Sequence, residues 1–307
     1  MLTSQILIQL IVILLAVQAF GYLCQRIGQP KVIGEILAGL ALGPTLLGSL
    51  LPRVEATLFP SSVLPALQTL GDIGLILYMF SLGTHIDTHA ILKHRRKATV
   101  VSLSGIFLPL VLGGAFAFFL YPEFAGSKAS LVSFMLLVGT AMAITAFPVL
   151  ARILEEKRML ATEIGALALL LFLPLYFIYN GLRTHIGLIN SPALWLLCAL
   201  VLVVACLGKV LGGSLSLKVF GAAWKDSLAL GTLMNTRGLV ELIVLNIGLD
   251  LGVISPTFFA MLVIMAVVTT MMASPLLPLL GHPHQHPPDL QVTETVATTY
   301  NGSLTNK

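Results

Sequence analysis

Nine apolar runs of about twenty residues follow one another along this chain, at 5–24, 31–51, 63–84, 98–120, 129–152, 160–182, 193–215, 228–249 and 257–279. About 20 residues at a helical rise of 1.5 Å span the hydrocarbon of a bilayer, so each run predicts one crossing. Composition agrees: 57% of the residues are hydrophobic and 10% charged, where a soluble domain carries about a quarter charged. The expected class is an all-α polytopic membrane protein, with a transmembrane unit over 1–280 and a disordered polar cytoplasmic tail over 281–307. Met1-Leu2-Thr3-Ser4 has no basic segment ahead of its long apolar run, so the first run predicts a retained span and not a cleaved signal.

The basic residues report topology. With the N-terminus outside, the inner side receives Arg26, Lys31, Lys93, Arg95, Arg96, Lys97, Arg152, Lys157, Arg158, Lys218, Lys225 and Lys307, and the outer side only Arg53, Lys128 and Arg183, twelve against three. The positive-inside rule then sets the N-terminus outside and the C-terminus in the cytoplasm. No nucleic-acid partner is expected from such a distribution. The cluster Lys93-His94-Arg95-Arg96-Lys97 reads as a stop signal, with anionic lipid as the competing partner. Cys24, Cys198 and Cys206 lie inside apolar runs and predict packing residues, with neither a disulfide nor a zinc site. His282, His284 and His286 could offer imidazoles to a metal, but prolines interleave them and no carboxylate stands beside them. No cofactor is expected. Nor is an enzyme, since no nucleophile–base pair, phosphate-binding glycine loop or metal-ligand cluster falls at a plausible depth.

Ionisable groups at membrane depth cost roughly 2.5–3.5 kcal/mol and normally face an interior cavity. Here they are Glu35, Asp72, Glu163, Lys209, Arg237 and Glu241. Glu35, Glu163 and Lys209 lie toward cytoplasmic ends, where snorkelling or simple pairing competes with an interior role. Arg237 and Glu241 are four apart, hence on one helix face, and a structural ion pair is the reading that competes with an ion pathway. Asn235-Thr236-Arg237-Gly238 places polar groups and a glycine where an apolar helix should continue. In the fifth run, Pro148 lacks an N–H and clashes with the carbonyl four residues back, so that helix must kink or unwind near Thr145, which with Phe147 and Pro148 is a candidate for the ion pathway. Two interrupted spans, one in each half of the chain, are the sequence mark of an inverted-repeat transporter.

The segments Gln29–Pro44, Thr145–Arg152, Gly181-Leu182-Arg183-Thr184 and Leu233–Gly248, the last reading LMNTRGLVELIVLNIG, resemble the monovalent cation:proton antiporter-2 family in the right order over roughly residues 5 to 280. The resemblance implies an inverted-repeat helical bundle with a scaffold and a core, the core holding two unwound helices that cross at mid-membrane. By motif position these are the spans 129–152 and 228–249. It implies that Lys209 is the core lysine that pairs with an ion-binding carboxylate. It also implies a bacterial inner membrane, with a plant membrane as the alternative because the family occurs there too, a homodimer, and sodium or potassium exchanged against protons by alternating access.

One part of the family pattern is missing. Members carry Asp-Asp or Asn-Asp on the helix after the first crossing helix. Here that helix begins with Leu160–Ala168 and then runs into Phe172-Leu173-Pro174-Leu175-Tyr176-Phe177, which resembles a much later family helix. The expected junction lies near 168–172, with four crossings lost, about 100 residues at some 20 per crossing. An even number of lost crossings keeps every later loop on its original side. Three acids offer themselves as substitutes. Asp72 lies deep but, by the resemblance, on the scaffold; Glu241 is near the crossing but beside Arg237; Glu163 comes one or two turns too early. The sequence therefore predicts an antiporter-family protein whose own exchange is in question, and as the alternative a non-transporting membrane scaffold or interaction protein.

Overall fold

The computed structural model describes residues 2–60, 62–84, 95–145 and 173–280. Phe147, Pro148, Glu163, the 168–172 junction and the 281–307 tail lie outside them. The elements are α1 (Leu2–Arg26), α2 (Lys31–Leu42), α3 (Leu47–Leu50), α4 (Pro52–Leu58), α5 (Leu64–Thr84), α6 (Arg95–Phe124), α7 (Leu131–Ala143), α8 (Leu173–Leu182), a 3-10 turn (Ile186–Leu188), α9 (Pro192–Val219), α10 (Trp224–Met234), α11 (Leu239–Asp250) and α12 (Pro256–Leu279). Among the described residues, five segments are long and apolar enough to cross a membrane: Gln5–Arg26, Lys31–Leu50, Thr99–Phe124, Pro192–Val219 and Pro256–Leu279. Leu64–Phe80 and Leu131–Ala143 are shorter apolar helices.

Local chemistry sets the helix ends. Ser191-Pro192 and Ser255-Pro256 open α9 and α12 in the same way: the serine hydroxyl accepts from the N–H three residues on, and the proline occupies the first turn, where its missing N–H costs nothing. Ser130 opens α7 with a capping box to Ser133. The run 31–51 is not one continuous helix, as its hydropathy suggested. The residue before a proline is driven out of the α region, and Gly43, before Pro44, is extended at φ −86°, ψ −172°, so α2 stops at Leu42.

Helices approach through glycine, as expected where lipid offers no hydrophobic drive for association. Gly208 and Gly212 of α9 lie against the backbone of Pro109 and Ser104 in α6, and Gly213 against Gly231 of α10. Helix α12 is the most enclosed of the long helices; its Phe258, Phe259, Met261 and Met265 fill the main core with Phe134 and Met142 of α7. By contrast α1, α6 and α9 turn Leu15, Phe107, Phe119, Leu196 and Val203 outward. That distribution suits helices bathed in lipid.

Candidate functional site

Three of the charged residues that cost most to bury, Lys209, Arg237 and Glu241, converge on one place, the C-terminal end of α7. That helix stops at Ala143, and Ile144 turns extended at φ −62°, ψ 133°. Ile144 is the residue whose carbonyl Pro148 would strike, so the break begins where proline sterics put it. A helix end leaves its last carbonyls without partners and carries a partial negative charge. Here each is met. The Ile144 N–H donates to Thr140 O, Arg237 Nη1 to Ala141 O at 2.7 Å, Arg237 Nη2 to Met142 O at 3.2 Å, and Lys209 Nζ to Ala143 O.

Arg237 reaches this point because its own helix is broken. The run 228–249 splits into α10 and α11, with Asn235–Gly238 unwound between them. The freed backbone finds partners: Thr270 Oγ1 of α12 accepts from the Arg237 N–H at 2.9 Å and lies 2.9 Å from its carbonyl, and Thr236 Oγ1 donates to Leu233 O. Asn235 Nδ2 donates to the Cys206 sulfur of α9 at 3.4 Å. Glu241, in the first turn of α11, accepts from Arg237 Nη1 at 3.0 Å, and both side chains are fully enclosed. This i,i+4 ion pair was one of the two readings the spacing allowed. Glu241 Oε2, Arg237 Nε and Asn235 Oδ1 are buried with no hydrogen-bond partner.

Lys209 is fully buried and spends all three N–H groups on neutral oxygens: Ala143 O, Gly105 O of α6 at 3.1 Å, and Thr145 Oγ1 at 2.6 Å. The hydrogen bonds of Lys209 therefore go to two carbonyls and a hydroxyl, where the family pattern would give it a carboxylate. Glu35 is likewise fully buried, so neither it nor Lys209 snorkels. Asp72 takes no part in this hydrogen-bonded cluster. It sits half-exposed on α5, which packs on α8 with Gly71 against the backbone of Tyr176. Around the α7 end the described side chains supply two cations, Lys209 and Arg237, against one carboxylate, Glu241. Three contributors escaped sequence reasoning: Thr270, Cys206 and the Gly105 carbonyl. Only the last had a signal, Pro109 four residues on, which leaves Gly105 O without its helical donor.

The motif Gly181–Thr184 builds a second polar cluster. Arg183 bonds Asp250 at the end of α11 and donates to Asn246 Oδ1 at 2.9 Å, while Asn246 Nδ2 donates to Asn180 Oδ1. Burial works against the Arg183 charge, but the hydrogen bond and charge of Asp250, with those of Tyr179, outweigh it and raise its pKa above the usual arginine value. A carboxylate at a helix C-terminus opposes the dipole, and Arg183 offsets that at Asp250. Arg183→Ala is expected to cost about 1–3 kcal/mol in detergent unfolding, because it strips a charged partner from Asn246 and Asp250 together. Asp250→Asn should cost under about 1 kcal/mol, the usual range for a half-exposed pair.

A family model described as sodium/hydrogen exchanger, transmembrane, matches residues 10–171 and again 168–280. The chain is similar to the Na(+)/H(+) antiporter NhaS4 of Synechocystis, 33% identical, with 88% of this chain and 96% of that protein covered. It is similar to cation/H(+) antiporter 17 of Arabidopsis thaliana at 30% identity, covering 88% of this chain and 48% of the relative. With K(+)/H(+) antiporter 1 of Saccharomyces cerevisiae it shares 25% identity over 81% of this chain and 43% of the relative. The chain thus spans nearly all of the cyanobacterial protein's length and about half that of the plant and yeast ones.

Proposed function

Because the chain belongs to the transmembrane sodium/hydrogen exchanger family, and is thus an integral multi-pass membrane protein, we propose that it has the build of a sodium- or potassium-proton antiporter whose own exchange step is arrested. The build is an inverted-repeat bundle of the kind that serves alternating access, with the N-terminus outside, in a bacterial inner membrane and as a homodimer. Antiport needs one group that takes either a metal ion or a proton, and a carboxylate does this naturally: ionised it binds the cation with backbone oxygens, protonated it lets go.

One observation carries the arrest: at the crossing, the only carboxylate hydrogen-bonded into the described cluster is Glu241, and it is tied to Arg237. Among the described residues, the end of α7 is held by the basic side chains of Lys209 and Arg237, where exchange needs a free carboxylate to attract the incoming cation. The proposed cause is internal shortening. The two family matches meet at 168–171, and 88% of 307 residues is about 270, so about 120 of the 392 aligned positions with the cyanobacterial relative hold no residue of this chain. That supports loss of the helices bearing the acidic pair. An arrested exchanger is a non-transporting membrane protein, and the role left to it is that of a scaffold or interaction partner.

In vesicles loaded with a pH-sensitive dye, the reconstituted chain is expected to release no more protons on addition of sodium or potassium than empty vesicles do. Flux equal to that of the full-length cyanobacterial relative in the same assay would sink the reading.

A further inference from the structure

The ammonium of Lys209 is held as a free monovalent cation would be held. Its three N–H groups meet three oxygens, one from α6, one from the last residue of α7 and one from the extended segment just past it, and no carboxylate is among these partners. Both carbonyls are available for structural reasons unconnected with lysine. Gly105 O is four residues before Pro109, which has no N–H to offer it, and Ala143 O belongs to the last turn of α7. The cage is therefore built by the backbone, with Thr145 Oγ1 completing it. Neutral oxygens of this kind, carbonyls above all, replace the hydration shell of monovalent cations in selective sites.

The cage is also reachable. A cavity of about 590 Å³ lies between α6, the end of α7 and the end of α10, with Ser102, Ile106, Leu233 and Met234 in its wall. Ala143 and Thr145, which supply two of the three oxygens, line it as well.

We propose that the oxygens of Gly105, Ala143 and Thr145 form a monovalent-cation site that the chain's own Lys209 ammonium keeps filled. A tethered cation competes at an effective concentration that a free ion in solution rarely matches, so the native site excludes sodium, potassium and ammonium alike. Removing the tether opens it. The inference deepens the arrested-exchanger reading and rests on it, since a plugged pocket of oxygens at the crossing would leave a transported cation no place to dwell. It is tested by binding and not by flux, so a chain found to exchange cations would refute that reading while the outcome below stands on its own.

The full chain is purified in detergent and its thermal unfolding followed at constant ionic strength, with choline replaced stepwise by methylammonium, potassium or sodium. Methylammonium reproduces the lysine head group with its three N–H donors. The native protein should unfold at one temperature in every salt. Lys209→Ala should be stabilised saturably by methylammonium or potassium, with choline inert because it is too large and has no N–H.

In Lys209→Ala/Pro109→Ala the restored N–H at 109 takes Gly105 O, and the saturation midpoint should rise at least tenfold. Lys209→Ala that folds only when methylammonium or potassium is present supports the site by rescue. The proposal is overturned if folded Lys209→Ala shows no difference from choline, if the native chain shows the same shift, or if Lys209→Ala stays unfolded in every salt.

Discussion

Replacing Arg237 by alanine is expected to cost about 3–5 kcal/mol of stability, the usual loss when one partner of a buried charge pair is removed. The expectation is firm because the guanidinium serves two needs at once. It balances Glu241, which would be left as an enclosed carboxylate with no cation on it, and it satisfies the carbonyls of Ala141 and Met142 at the end of α7. Lysine is not a substitute, since one compact ammonium cannot span two carbonyls and a carboxylate as a planar fork does. Arg237→Lys should therefore recover less than half of the loss. Glu241→Gln keeps an acceptor for Nη1 and removes the buried negative charge, so it should cost less than Arg237→Ala. Denaturant unfolding of the three variants in one detergent checks the order. A loss below about 1 kcal/mol for Arg237→Ala would mean that water reaches the α7 end.

What could be read in advance follows the range of the interactions. The pairing of Arg237 with Glu241 is local, one helical turn, and the spacing carried it. So did the break over Asn235–Gly238 and the unwinding that begins at Ile144, because polar residues, glycine and proline act on their own backbone. The end of α2 at Leu42 was equally local, yet hydropathy averaged Gly43-Pro44 into a single run.

The contents of the cluster were not local. That Thr270 holds the unwound Arg237 backbone, that Cys206 faces Asn235, and that Arg183 reaches Asp250 depend on how helices distant in sequence are laid side by side. Lys209 was picked out by its cost in a membrane and by family resemblance. What it holds was fixed only when α6, α7 and α9 were brought together.

The second large effect is expected at a residue with no charge. Gly181 of α8 lies so close to α2 that a Cβ there would overlap the backbone of Gly39 and Leu40, and a Cβ on Gly39 would come within 2.9 Å of the Ile178 backbone. Backbone cannot step aside as a flexible side chain can, so the two helices must separate. Overpacking costs about 1–3 kcal/mol where neighbours can adjust, and Gly181→Ala should reach or exceed the top of that range. The loss should spread, because α8 also holds α5 through Gly71 at Tyr176 and α11 through Asn180 and Arg183. Gly187 is the control: it is a glycine six residues on, in the 3-10 turn that follows α8, with no atom within 4 Å of the point where an alanine methyl would sit, and Gly187→Ala should stay within about 0.5 kcal/mol of the native chain. If both variants melt with the native protein, α8 is not seated on α2. Since Arg183, just past α8, latches it to α11, the seating of α8 is one of the links between α2 and α5 and the helix that begins at the crossing.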